Sequence, residues 1–367
     1  MSKRPQAIIS VINDIVTDQR VFRIASTLQK AGYEVLIVGR ITPGSPVLYN
    51  FPFHIKRFRL LINKGPLFYV LYNVRLLFFL LSRRFNILWS CDLDTLLPNF
   101  VVSKIRNSFL VYDSHELFTE VPELVNRRNV QKIWLSIEKL LLPHIKHSCT
   151  VSNGVAFEYK KRYGIDMVLV RNVPFYKPTK KVEQISSSDK KKIVIYQGAI
   201  NLNRGIEKVV LAFKYIENAE FWIVGTGDID HKISKLIIDE KLSDKVKMLG
   251  RIVPEKLQEI TPQAHLGISL EENTNLNYYY ALPNKLFDYI QARIPVLVSD
   301  FPDMAGIVKH YNIGVTTNEF NPVKLALIIS KMLIDTESRV AWRRNLETAA
   351  NELCWEHEEI KILNAFR

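Results

Sequence analysis

Through its first half the chain alternates short apolar runs with longer stretches whose apolar residues recur at helical spacing. Ala7–Ile12 (AIISVI) reads as a buried strand, and 19–32 (QRVFRIASTLQKAG) as a helix with Val21, Ile24, Ala25 and Leu28 on one face and a stop at Gly32. EVLIVG (34–39), NILWS (86–90), FLVYD (109–113), CTVS (149–152) and MVLV (167–170) are further strands, with helical patterns such as TLLPNFVVSKI (95–105) among them. Parallel strands need long crossovers, so this alternation predicts βαβ units and a parallel sheet.

The rhythm breaks at 172–192 (NVPFYKPTKKVEQISSSDKKK), a polar, basic stretch with two prolines and a serine run, and then resumes. KIVIYQG, EFWIVG, VKMLG, HLGISL and PVLVS follow as strands with helical segments between them. The predicted organisation is an α/β domain over 1–175, a linker over 176–192, a second α/β domain over 193–340, and C-terminal helices over 341–367 that can cross back to the first. A chain of 367 residues suits two domains at roughly 100–200 residues each. A ligand is expected in a cleft between the two sheets, at the carboxyl ends of their strands.

Charge narrows the partners. The formal net charge is +13, which calls for nucleic acid, an anionic membrane surface or a phosphorylated substrate. No nucleic-acid module is recognisable, so nucleic acid is not expected as a partner. Residues 55–85 carry Lys56, Arg57, Arg59, Lys64, Arg75, Arg83 and Arg84 without one acid, interleaved with aromatics. The apolar run Leu67–Leu81 contains Asn73 and Arg75 and falls short of the ~20 residues a membrane span needs. It reads as a core helix with a rim that faces an anionic membrane. Interrupted by Asn13 and Asp14, the N-terminal apolar run does not read as a signal peptide. Cys91, Cys149 and Cys354 are scattered, which fits a reducing cytoplasm better than a disulfide framework or a zinc site.

Several polar constellations sit at strand ends. In PNKLFDYIQARIPVLVSD (283–300), Pro283 opens a helix, Asn284 follows, and Lys285 adds a cation at the positive end of the helix dipole. That placement opposes the dipole and is relieved by a bound phosphate. Asp288 shares the face of Lys285: it is either a sugar-diol acceptor or the partner in an ion pair worth roughly 0.2–0.5 kcal/mol. YQGAINLNRGIEKVVLAF (196–213) repeats the logic with Gly198, Arg204 and Gly205, where the alternative is a plain turn with a solvated arginine. Gly225 and Gly250 end two more strands, though neither familiar nucleotide fingerprint is complete. VYDSHELF places Asp113, His115 and Glu116 past a strand, where the histidine either serves an anion or sugar hydroxyl or caps a helix. Asn13, Asp14, Asp18 and Arg20 follow the first strand, with Asp18 able to cap the next helix. In CDLD (91–94) Asp94 reads as an N-cap, and no metal trio is expected.

Taken in order, DQRVFRIASTLQKAGYEVLIVG, VYDSHELF, TVSNGV, VRNVP, IVIYQGAINLNRGIEKVVLAF, FWIVGTGD, VKMLGRIVPEKLQE and PNKLFDYIQARIPVLVSD span nearly the whole chain. The ordered set resembles the retaining glycosyltransferases of family four. The resemblance implies the GT-B fold, two facing Rossmann-like domains with a cleft between them. It also implies a UDP- or GDP-sugar donor held mainly by the second domain, transfer without a metal or other cofactor, and a hexosyltransferase-type enzyme. Arg204 matches the family's diphosphate-binding basic residue. Its second basic residue would stand at Ala199, the first of its two glutamates at Tyr280, and the second at Asp288, which then holds the ribose. Lys285 and Asn284 stand in for the missing phosphate contacts, and INDIVTD replaces the glycine-rich loop after the first strand. Arg204, Lys285 and His115 are the expected catalytic contacts. Gly198, Gly205, Gly225, Gly250, Pro283, Asn284 and Asp288 complete the donor side, and Asn13, Asp14, Asp18, Arg20, Asp113 and Glu116 shape the acceptor side. The expected role is surface polysaccharide or glycolipid synthesis on a glycan or lipid-linked acceptor, in the cytoplasm and peripheral on the inner face of the membrane. Two alternatives share the fold: a sugar-nucleotide epimerase, and a non-catalytic nucleotide-sugar-binding partner subunit.

Overall fold

The computed structural model describes residues 4–42, 45, 51–178 and 191–366. It contains two compact units, Met1–Asn172 with Glu358–Arg367, and Val173–His357.

The first unit carries seven parallel strands: β1 (Gln6–Ser10), β2 (Glu34–Arg40), β3 (His54–Phe58), β4 (Ile87–Cys91), β5 (Phe109–Ser114), β6 (His147–Thr150) and β7 (Val168–Leu169). Their order is β3-β2-β1-β4-β5-β6-β7. The chain therefore runs outward from β1 in one direction, then returns to its other side, and that reversal opens a crevice at the carboxyl ends of β1 and β4. The central strands are continuous apolar runs because helices cover both faces; Ile8, Ile9, Leu88, Trp89 and Val111 are buried.

The first helix, Gln19–Lys30, begins where Asp18 Oδ1 accepts the Val21 N–H at 3.0 Å, the capping role its spacing offers. The helix Pro66–Leu81 presents Phe68, Tyr72, Leu76 and Leu80 to the core, and leaves Leu67, Val70, Leu71, Val74 and Phe78 exposed.

The second unit repeats the plan with six parallel strands: β8 (Lys192–Gln197), β9 (Ala219–Val224), β10 (Val246–Gly250), β11 (Leu266–Ser269), β12 (Val296–Ser299) and β13 (Gly314–Thr317), ordered β10-β9-β8-β11-β12-β13. The reversal here falls between β8 and β11. Its core gathers Val194, Phe213, Phe221, Ile268 and Ile329, with Phe213 and Phe221 stacked at 5.3 Å.

The structure departs from the sequence reading in several places. β3 lies inside the basic segment, and β13 was not anticipated. The strand placed at Cys149–Ser152 is His147–Thr150. The C-terminal helices are Thr336–Glu352 and Trp355–Ala365, the first starting ahead of the expected residue 341. Of the expected linker, residues 179–190 lie outside the described residues. Its start is hydrogen-bonded: Tyr176 N–H donates to Glu356 Oε2 at 3.0 Å and Lys177 N–H to Gln291 Oε1 at 3.1 Å. Only Glu358–Arg367 joins the first unit, where Lys30 Nζ meets Glu359 Oε2 at 2.9 Å and Phe366 packs edge-on against Trp89 at 5.4 Å.

Candidate functional site

Two polar clusters stand at the carboxyl edges of the two sheets, each beside its strand-order reversal. In the first unit Arg20, on the first helix, reaches Asp113 on β5. Its Nε lies 3.0 Å from Oδ2 and its Nη2 2.6 Å from Oδ1, while Nη1 donates to the Val170 carbonyl at 2.8 Å. Trp89 Nε1 and Cys149 Sγ also donate to the Asp113 carboxylate, at 3.2 and 3.3 Å. Arg20 and Asp113 are 1% and 0% exposed, so they are a buried ion pair and do not line an open acceptor surface. Burial pushes the Asp113 carboxyl up, but Arg20 and His115 outweigh it and hold the group well below the usual carboxylate range.

His115 rests on this pair. Its Nε2 is 3.3 Å from Asp113 Oδ2, its Nδ1 is 3.4 Å from Asp92 Oδ2, and its backbone N–H donates to Asp92 Oδ1 at 2.8 Å. Burial would lower the imidazole's pKa, yet Asp92 and Asp113 together raise it well above the ordinary value. The histidine is therefore a ring held between two carboxylates, not a helix cap. Asp94 is likewise not the cap: the helix Leu93–Arg106 starts at Asp92, and Asp94 is buried in its first turn.

Cys91, Asp113 and His115 approach one another closely enough to hold a cation, all ligand atoms falling within 4.8 Å. The donor set does not suit one. The Asp113 oxygens already accept from Arg20, Trp89 and Cys149, and burial pushes the Cys91 thiol up to about 12.

The other expected residues of this unit follow β1, apart from Glu116, which lies just past β5. Asp14 Oδ1 caps a short turn at Val16 and stands 3.6 Å from Arg57, and the Asn13 carbonyl accepts the Arg40 N–H. Asp18 is the helix cap already described, and Glu116 is exposed, its carbonyl accepting from Ser114 Oγ at 2.7 Å.

In the second unit, Lys285 and Arg204 converge. Lys285 Nζ lies 3.0 Å from Glu271 Oε1, and Arg204 Nη1 is 3.6 Å from the same oxygen. Glu271, just past β11, is fully buried, and Ser269 Oγ donates to it at 3.0 Å. Burial would raise its pKa, but the two cations outweigh this and lower it. The Lys285 ammonium sits 4.3 Å over the Tyr196 ring and the Arg204 guanidinium 5.1 Å over that of Tyr278. Arg204 Nε is buried without a hydrogen-bond partner.

Glycine makes this crowding possible. A Cβ on Gly205 (φ +67°) would lie 2.3 Å from the Leu270 carbonyl, and one on Gly225 (φ +139°) would lie 1.8 Å from that of Gly198. Beside Gly198 the next neighbour is the Lys285 chain, whose Cε would be 3.6 Å from an added Cβ. Gly250 ends β10, its carbonyl accepting from Gly225 N–H at 2.9 Å.

Pro283 is the N-cap of the helix Asn284–Gln291, one residue before its first turn. Asp288 does not carry the partner of Lys285: its Oδ2 accepts from Gln197 Nε2 at 2.9 Å, and Gln197 is held in turn by Thr261 Oγ1 at 2.8 Å. Tyr280, at the position of the missing glutamate, ends a short helical turn. Sequence reasoning missed Glu271 and Asp92; the signal was present in SLEEN and CDLD, acids immediately past buried strands.

Two family models match the chain, "Glycosyl transferases group 1" over residues 178–348 and "Glycosyltransferase Family 4" over residues 18–174. Over 154 residues the chain is 24% identical to an uncharacterized glycosyltransferase of Methanocaldococcus jannaschii, an alignment covering 41% of this chain and 38% of that protein. The chain thus spans well under half the length of that relative. Among solved structures, it superposes on sucrose-phosphate synthase from Thermosynechococcus elongatus with a TM-score of 0.79 at 19% identity, covering 99% of this chain and 98% of that one. The Anabaena protein HepE in complex with UDP and glucose gives 0.76 at 12% identity, covering 98% of each chain. A glycosyltransferase from Rickettsia africae gives 0.73 at 14%, covering 99% and 98%. With both halves matched and this fold throughout, the chain belongs to the group 1 glycosyltransferases of family four and has their GT-B architecture.

Proposed function

We propose that the chain is a retaining glycosyltransferase, of hexosyltransferase type and independent of metal, that takes its sugar from a nucleoside-diphosphate sugar and passes it to a glycan or lipid-linked acceptor. The observation that carries this reading is the meeting of Lys285 and Arg204 on one carboxylate beside Gly198. Two cations against one buried acid leave a positive surplus. A diphosphate leaving group gathers negative charge as the glycosidic bond breaks, and fixed cations lower that barrier. Lys285 supplies the charge that Ala199 cannot. Asp288 is assigned to the ribose hydroxyls and His115 to the reacting sugar; deprotonation of the acceptor falls to the departing phosphate on the same face, so no side-chain nucleophile is assigned.

UDP and UDP-glucose are the ligands of HepE, which makes uridine nucleotides the first to try here. Calorimetric titration with UDP and GDP tests the reading: binding of at least one, weakened about ten- to a hundredfold in Arg204→Ala, is expected. Absence of binding by both would overturn it. Binding without transfer to any acceptor would favour the partner-subunit reading, and donor turnover without acceptor the epimerase.

The acceptor side of the proposal draws on the helix Pro66–Leu81. Leu67, Val70, Val74 and Phe78 form an exposed apolar stripe, Phe78 at 67%, flanked by the exposed cations Lys64, Arg75, Arg83 and Arg84. Apolar contact plus roughly 1 kcal/mol per basic residue at an anionic surface suits a helix lying on a bilayer. No helix among the described residues is long and apolar enough to cross one. The location proposed is the inner face of the cell membrane, in surface polysaccharide or glycolipid synthesis.

A further inference from the structure

We infer that Asp92 is a positioning residue for His115, fixing both its main chain and its ring at the carboxyl edge of the first sheet; the inference rests on the role proposed for His115 above. Asp92 occupies the N-cap of the helix Leu93–Arg106, a place where an aspartate ordinarily accepts an N–H of the first turn. It makes no such bond. The carboxylate turns instead to the neighbouring strand, where Oδ1 takes the His115 N–H at 2.8 Å and Oδ2 stands 3.4 Å from Nδ1. Its own N–H donates to the Asp113 carbonyl at 2.8 Å, tying the two strand ends together.

The backbone supplies the second observation. Asp92 has φ +57°, ψ 171°, a conformation L residues avoid and which costs about 1–3 kcal/mol. A forgone cap and a strained backbone meet in one residue. The side chain is 19% exposed, so close packing does not dictate an acid there. What both sacrifices secure is the grip on His115.

Nε2 of the same ring faces Asp113, itself locked by Arg20 from the first helix; Cys91 approaches from β4. With a carboxylate at each nitrogen, the imidazolium can donate from both, and no choice of tautomer arises. Asp92 alone of the two carboxylates is not bound to an arginine, so it is the one whose removal frees the ring without dismantling the ion pair beneath. The remaining charged neighbours are Asp18 at the first helix's cap, buried Asp94 in the first turn of the helix Leu93–Arg106, and exposed Glu116.

The test uses two variants of the full chain. Asp92→Gly relieves the positive φ and removes the carboxylate; Asp92→Asn leaves the backbone as strained as in the parent and keeps the acceptor for the His115 N–H but loses the charge. Thermal unfolding, release of UDP from UDP-glucose and NMR titration of the His115 ring are measured on each. Asp92→Gly is expected to unfold no lower than the parent while turnover falls about tenfold or more, as misplacement of a contact group does. In Asp92→Asn the His115 ring is expected to titrate at lower pH than in the parent. Parallel losses of stability and turnover in Asp92→Gly would reduce Asp92 to a structural role. An unmoved ring titration in Asp92→Asn would overturn the inference. Because that titration is read without turnover, it decides the matter even if the parent chain leaves UDP-glucose intact, an outcome that would count against the proposed donor and not against Asp92.

Discussion

Lys285 and Arg204 share one oxygen: Glu271 Oε1 stands 3.0 Å from the lysine ammonium and 3.6 Å from the guanidinium. Two cations that would repel each other are held side by side by a single buried acid. A buried charge persists only with such pairing, so Glu271 allows the pair to exist before any ligand arrives.

Arg204→Ala and Lys285→Ala should each weaken binding of a nucleoside diphosphate about ten- to a hundredfold, the equivalent of ~1.5–3 kcal/mol for a hydrogen bond to a charged group. Binding of the parent nucleoside should change far less. Calorimetry with UDP and uridine checks this, and equal losses for both ligands would contradict the assigned contacts.

Arg20→Met should destabilise the protein by about 3–5 kcal/mol, because Asp113 would be left buried and uncompensated. Adding Asp113→Leu should recover part of the loss. Urea midpoints of the single and double variants measure both. A double variant no more stable than Arg20→Met would mean that packing, not charge, dominates here.

The Arg20–Asp113 pair also sets an acid limit. Asp113 titrates lower in the folded than in the unfolded chain, so its contribution is full above the unfolded carboxyl value of ~3.9 and fades as pH falls toward the folded one. His115 runs the other way. Its folded pKa is raised, so its contribution is full below the unfolded value of ~6.5 and is lost as pH rises through the folded one. His115→Gln should therefore cost most stability in mildly acidic buffer and progressively less in alkaline buffer. Denaturation of parent and variant across pH 5–10 gives the comparison; a pH-independent difference would remove the charged histidine from the account.

Val74→Asp and Phe78→Asp alter only the exposed side of the helix Pro66–Leu81 and should leave the thermal midpoint within a few degrees of the parent. Both should abolish sedimentation with anionic vesicles, and neutral vesicles should bind the parent poorly. Equal partitioning of the parent onto neutral and anionic vesicles would reject an electrostatic contribution from the flanking arginines.

Much of the fold was legible because buried parallel strands are written as unbroken apolar runs. Val194–Tyr196 and Val296–Val298 need no context to be recognised. Where strands lie at an edge the signal fades. His54–Phe58 alternates cations with apolar residues, and Gly314–Thr317 is half polar and mostly half-buried, so neither carries that mark. The site was legible in parts. Glycines and cations at strand ends announced themselves, but their partners did not. Arg20 and Asp113 lie 93 positions apart, and nothing in either local pattern says that they meet. Lys285 has an acid three residues on, and the nearest-neighbour rule pointed there, yet its ammonium bonds to Glu271 across the sheet edge. Buried charge is matched through tertiary structure, which a one-dimensional pattern does not encode.

The return of Glu358–Arg367 to the first unit has a consequence for biosynthesis. Arg171 hydrogen-bonds to Glu358 through its backbone N–H at 3.0 Å, and Lys30 waits for Glu359. On the ribosome the amino-terminal half emerges first and begins to fold as it leaves the tunnel. It must form without Glu358 and Glu359, and with the indole of Trp89 uncovered by Phe366, until the entire second unit has been translated. The nascent half is thus a provisional structure, closed only by codons read long after its own.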